Sequence, residues 1–133
     1  MIHVTAGGGC NCGAVRLECR GEPIRVGLCH CGTCRKETGG PFGAFVVWPA
    51  PAVTVTGRTA SWTADGGGTR HFCPTCGSPL FWAEAGSDEI EVRLGCLDEM
   101  PSGLVPVYEL WTVRREHWLP PLEGAEQHTG NRS

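Results

Sequence analysis

The sequence predicts an all-β domain of roughly seven to nine short strands, on three observations. Twenty Gly and ten Pro interrupt the 133 residues so often that no window of a dozen positions keeps a helical period. Short runs of alternating apolar and polar residues recur along the chain, and clusters of turn formers separate them. The length suits one domain with a modest core.

Taken in order, AVRLEC (14–19) sets Val15, Leu17 and Cys19 on one face, and AFVVW (44–48), AVTVT (52–56) and TASWTA (59–64) follow. PLFWA (79–83), EIEVRLGCL (89–97) and VYELWTV (107–113) complete the set. The period of two puts Cys96 on the face of Ile90, Val92 and Leu94. TCRKET (33–38), stopped by Gly39 and Gly40, predicts the one helical turn, with Cys34 at its N-terminal end. The GGG runs at 7–9 and 66–68 read as flexible turns, since neither has the spacing of a phosphate cradle. The domain is expected over 1–118, and LPPLEGAEQHTGNRS (119–133), polar and without a strand pattern, as a loose tail.

A net charge of -3 and ten Arg scattered along the chain beside one Lys provide no basic field, so no nucleic-acid partner is expected. MIHVTAGGGC has neither a positive n-region nor an apolar h-region, and no stretch approaches the roughly 20 apolar residues of a membrane span. A cytoplasmic, non-membrane protein is expected. There thiols stay reduced, so nine cysteines read as metal ligands or reactive groups rather than disulfides.

CPTCG (73–77) has zinc-knuckle spacing, in which a tight turn aims Cys73 and Cys76 at one ion. In CNCG (10–13), positions i and i+2 of an extended chain share a face, so Cys10 and Cys12 can converge likewise. Two and two make a closed four-sulfur zinc site that staples the fold. Cys19 and Cys96 read as small buried hydrophobes. CHCGTC (29–34) is left with three sulfurs, Cys29, Cys31 and Cys34. A second, weaker zinc held by three ligands keeps a position open for chemistry; a closed site using His30, His71 or Cys96, or a metal-free trio, is the alternative. Arg35, Lys36 and Arg70 are candidate substrate-binding cations for an anionic substrate.

GGCNCGAVRL, CHCGTCRKETGGPF, RHFCPTCGSPLFW, GCLD and the Trp111…Trp118 pair together resemble the glutathione-dependent formaldehyde-activating family, also known as the centromere protein V domain. The resemblance runs from about Gly8 to Trp118. It implies an Mss4-like fold of several small coiled antiparallel sheets stapled by zinc. Structural zinc would lie on Cys10, Cys12, Cys73 and Cys76, and a catalytic-type zinc on Cys29, Cys31 and Cys34. The implied activity is that of a carbon–sulfur lyase joining formaldehyde to the thiol of glutathione, with a small thiol or thiol adduct as partner. Glu109 stands where the family usually has His. A non-catalytic zinc scaffold binding a protein or a small anion, and a thiol redox protein using Cys96, are the competing readings.

Overall fold

The computed structural model describes residues 5–65 and 67–132; residues 1–4, which entered the targeting argument, and Gly66 of the second GGG run lie outside it. The all-β expectation holds. Eleven strands run β1 (Thr5–Gly9), β2 (Arg16–Arg20), β3 (Arg25–Cys29), β4 (Gly43–Pro49), β5 (Val53–Thr56), β6 (Ala60–Thr63), β7 (Thr69–Phe72), β8 (Pro79–Ala83), β9 (Glu89–Arg93), β10 (Tyr108–Leu110) and β11 (Glu126–Gln127). A single α-helix among the described residues, α1 (Gly32–Thr38), lies between β3 and β4.

The strands form a small sheet in the order β1-β2-β5 and a long one in the order β11-β10-β3-β4-β9-β8-β7-β6. Pairing is antiparallel except at β10, which runs parallel to both β3 and β11. Strand β4 explains the layering. Its Val46 and Trp48 face the main core with Val15, Leu17, Leu80, Ile90 and Val92, while Phe45 and Val47 face a second cluster with Cys29, Cys34 and Tyr108. Full burial of each such side chain stabilises by about 1.5–3 kcal/mol, and the Trp48 indole N–H is satisfied by the Gly21 carbonyl at 3.0 Å.

Three local readings are corrected. Residues 7–9 are not a turn but lie in β1, paired with β2. Gly8 also bridges Leu97, and a Cβ there would lie 2.5 Å from the Cys96 carbonyl oxygen, so a side chain would break the contact between β1 and the segment after β9. The run 89–97 leaves the strand at Arg93 and closes in a 3-10 turn over Leu94–Cys96. Cys96 nonetheless packs against the main core.

The third correction concerns the C-terminal residues. Instead of a loose tail, they add β11 to the sheet edge, and the backbone N–H groups of Trp111 and Thr112 donate to Gly130 and His128 at 3.0 Å each. The cause is a buried carboxylate. Glu109 accepts from the Leu122 backbone N–H at 2.7 Å and from Gln127 Nε2 at 2.9 Å, and it meets His30 Nε2 at 2.7 Å. A buried charge without partners is costly, so the tail is held by the donors it supplies.

Burial pushes Glu109 up, but the hydrogen bonds from Gln127, Leu122 and His30 and the charge of Arg115 outweigh it and hold the carboxyl down at about 2. A carboxylate depressed on folding contributes stability above its ordinary value of 4.5, and that stability is lost as pH falls toward the folded value. Thermal melts of wild type and Glu109→Gln should therefore differ widely at pH 7 and converge between about pH 4.5 and 2. Deleting 119–133 should lower the neutral-pH melting temperature by more than about 5 °C, where a loose tail would leave it unchanged.

Candidate functional site

Two sulfur clusters form. Cys10 and Cys12 leave β1 in the turn before β2, and Cys73 and Cys76 lie in the turn between β7 and β8. All four sulfurs are within 4.8 Å of one another. The Cys10–Cys12 and Cys12–Cys73 sulfurs are 3.6 and 3.7 Å apart, close to the roughly 3.8 Å edge of a tetrahedron built on 2.3 Å zinc–sulfur bonds. Backbone N–H groups aim at the sulfurs, from Val15 to Cys10 at 3.2 Å and from Thr75 and Cys76 to Cys73 at 3.4 and 3.5 Å. The Val15 contact lowers the Cys10 thiol, and bonds to Ser78 bring Cys76 down to about 5. A tetrahedral thiophilic ion fits these residues.

The second cluster is Cys29 at the end of β3, Cys31 as the N-cap of α1, and Cys34 in its first turn. Their sulfurs also lie within 4.8 Å of one another, and among the described residues no fourth side-chain ligand joins them. The three alternatives left open by the sequence are turned elsewhere. His30 is fully buried against Glu109, His71 meets Thr59 at 2.9 Å and stacks on Phe81 at 4.3 Å, and the Cys96 thiol points at the Leu80 carbonyl at 3.8 Å. Hydrogen bonds from Cys29 and Cys34 hold Cys31 down to about 2, while those with Cys31 and Cys34, together with burial, push Cys29 up. The trio concentrates negative charge on Cys31 and suits a cation.

The three sulfurs line a pocket of about 420 Å³ with Arg70, Arg93, Trp82 and Trp111. Strand register builds its wall. Trp62, Arg70, Trp82 and Glu91 stand side by side across β6, β7, β8 and β9 on one face of the long sheet. Arg70 lies 3.8 Å from the Cys34 sulfur, and Glu37 of α1 pairs with both Arg70 and Arg93, the latter at 2.7 Å. Gly43 leaves room for this packing, since a Cβ there would lie 2.9 Å from Arg93 Nη1.

Of the expected substrate-binding cations only Arg70 reaches the pocket. Arg35 is occupied by the Arg114 carbonyl and Glu116, both at 2.9 Å, and Lys36 is exposed beside a separate cleft with Trp62. Arg93, Glu37 and Glu91 went unread. A larger cavity of about 690 Å³ lies toward the four-cysteine cluster, bordered by Phe42, Cys96 and Met100. Its Arg16 and Asp98 are paired with each other, and burial pushes Cys96 up to about 12, so it holds no free reactive group.

A family model described as glutathione-dependent formaldehyde-activating enzyme matches residues 5–114. The chain belongs to this family. It is 33% identical to an uncharacterized lyase of Schizosaccharomyces pombe over 57% of this chain and 56% of that protein. It is 34% identical to a Halomonas elongata protein provisionally named a glutathione-dependent formaldehyde-activating enzyme, over 56% of this chain and 53% of the other. The chain thus spans about half the length of these curated relatives. The crystal structure of a Rhodobacter sphaeroides protein shares the fold, with a TM-score of 0.59 at 22% identity over 75% of this chain and 97% of that one.

Cys73 is wholly buried within the main core cluster and belongs to the four sulfurs that could hold one ion, so Cys73→Ser takes one potential ligand out of the packed junction of β1 and β7. It should yield insoluble protein or a melting temperature lowered by more than about 10 °C. Burial pushes Cys19 up to about 11 and Cys96 to about 12. Iodoacetamide at pH 8 should accordingly leave both unmodified in the native protein and label them on unfolding, read by mass spectrometry.

Proposed function

We propose that this protein is a zinc-dependent carbon–sulfur lyase that makes and breaks the S-hydroxymethyl adduct of a small thiol, with structural zinc on Cys10, Cys12, Cys73 and Cys76. The observation that carries the reading is the pocket of about 420 Å³ opening onto three sulfurs, with no fourth side-chain ligand among the described residues. A zinc ion bound there would supply a Lewis acid and lower the pKa of a substrate thiol.

The reaction is an addition. The thiol sulfur bonds to the formaldehyde carbon, the carbonyl π bond breaks, and the thiol proton ends on the new hydroxyl oxygen; the reverse breaks the carbon–sulfur bond. The protein's part is placement and field. Cys29 and Cys31 are fixed by the β3–α1 junction, with Cys31 bound by the Cys34 N–H at 3.3 Å. Arg70 and Arg93 stabilise the thiolates as cations near the cluster, while Glu37 holds both guanidiniums in place. Trp82 and Trp111 wall the pocket and exclude water around the reacting atoms.

The zinc expectation and the division of labour between the clusters are tested together by Cys34→Ser. Wild type should hold two zinc equivalents and accelerate thiol-dependent loss of formaldehyde. The variant should hold about one, lose the activity by at least a hundredfold, and keep its β-sheet circular dichroism, because the fold is pinned at the other cluster. Unfolding of Cys34→Ser, or a wild type that holds one zinc and turns over no thiol adduct, would replace the lyase with a binding scaffold.

A further inference from the structure

One wall of the three-cysteine pocket is built by residues beyond position 114, where the match to the family ends. The segment 126–131 runs along β10 and past its end. The Glu126 and His128 backbone N–H groups donate to the Val107 and Glu109 carbonyls at 3.0 and 2.9 Å, and the Thr112 and Trp111 N–H groups return bonds to the His128 and Gly130 carbonyls. The Tyr108 ring anchors the same segment, with the His128 ring 6.3 Å and the Arg132 guanidinium carbon 5.8 Å from its centre. This ladder delivers Asn131 to the pocket, which it lines beside Trp111.

Two observations single out that pair. Trp111 has φ 55° and ψ 44°, and among the described residues no other non-glycine residue has a positive φ. A bulky side chain keeps a left-handed backbone only where its surroundings over-determine it, and such residues gather at ligand sites. Here Gly130 holds the backbone N–H, and the indole Nε1 donates to Asn131 Oδ1 at 2.9 Å. Arg114, which does not line the pocket, lies 5.9 Å from the ring centre. The second observation is the direction of the Asn131 amide. An indole N–H can only donate, so Oδ1 is the atom that faces it, and Nδ2 keeps both of its hydrogens with no acceptor among the described residues.

The opposite wall has a different chemistry. In the long sheet β3 and β4 lie between β10 and β9, so Trp111 and Asn131 stand on one side of the cysteines and Glu91, Trp82 and Arg70 on the other. Arg70 bonds Glu37 and the Cys34 sulfur through Nη1 alone, which leaves Nε and Nη2 for a ligand. A carboxylate entering the pocket gains most from that guanidinium. The neutral donor across from it is left for a neutral acceptor.

Building on the lyase reading, we propose that Asn131 is a specificity-determining residue whose Nδ2 donates to an amide carbonyl carried by the substrate thiol, while its Oδ1 holds the Trp111 indole beside the same molecule. The pocket thereby selects amide-bearing, peptide-like thiols over simple alkyl thiols.

Two uncharged thiols test this on the zinc-loaded full chain: N-acetylcysteamine, which carries an amide carbonyl, and 1-butanethiol, which carries no acceptor beyond its sulfur. Binding is followed by tryptophan fluorescence and turnover by formaldehyde loss. Asn131→Ala removes both roles of the side chain, whereas Asn131→Asp keeps an oxygen for Trp111 Nε1 and has no donor. Both variants should bind N-acetylcysteamine about fivefold more weakly, in the range of one hydrogen bond, with KM raised and kcat held. Asn131→Asp should bind 1-butanethiol as wild type does. Wild-type affinity for N-acetylcysteamine in Asn131→Asp but not in Asn131→Ala would reduce Asn131 to a prop for Trp111 and overturn the proposal. Equal losses for the two thiols, or no loss in either variant, would overturn it too. Binding that depends on Asn131 without formaldehyde loss would sink the lyase reading and leave the amide site standing; turnover indifferent to position 131 would do the reverse.

Discussion

Strand β4 buries both of its faces, and the rest of the molecule is arranged to make that possible. A strand apolar on one face needs one partner layer, but Phe45, Val46, Val47 and Trp48 need two. The β1-β2-β5 sheet and the 3-10 turn after β9 cover Val46 and Trp48. On the other side there is too little chain for a second sheet, so a seven-residue helix, Tyr108 of β10 and the three sulfurs fill the space. The pocket lies where that thinner layer ends. A helix so short has no stability of its own, and its anchoring by Glu37 to Arg70 and Arg93 is part of the same solution.

What the sequence disclosed follows from how local the cause was. The knuckle at Cys73 and Cys76, the i and i+2 pair at Cys10 and Cys12, and the helical stop at Gly39 are each written within a few residues, and the structure has all three. Arg35 and Lys36 were misjudged because nearness along a helix is not nearness in space. Successive residues turn by about 100°, which carries positions 35 and 36 away from Cys34 and returns position 37 to its side. Glu37 was thus available as the i+3 neighbour. Nothing local announced Glu91, which joins the pocket through pairing with β8 and β4.

The C-terminal segment was illegible for a different reason. Its composition is that of a tail, and β11 has two residues, so propensity could not have found it. The segment is ordered by donors rather than by apolar area, and the carboxylate that collects them lies at Glu109, while its other partner, His30, is 79 positions away from it in sequence. A carboxylate offers about four acceptor sites where a neutral imidazole offers one. That surplus accounts for Leu122 and Gln127 being drawn in, and with them the residues that hold Trp111 at the pocket.

The same accounting separates the two clusters. At the four-cysteine site the neutralising partners are backbone N–H dipoles from Val15, Thr75 and Cys76, and two of its four residues are exposed. That environment rewards binding an ion and little else. At the three-cysteine site full charges are close by, Arg70 at 3.8 Å from a sulfur and Arg93 behind it, and left alone they would attract anions to the pocket. Glu37 offsets one of these two charges from the helix side and leaves the field of the other at the sulfurs. The sulfurs keep that field, and the helix that carries Cys34 is tied by Glu37 to the two strands that carry the arginines.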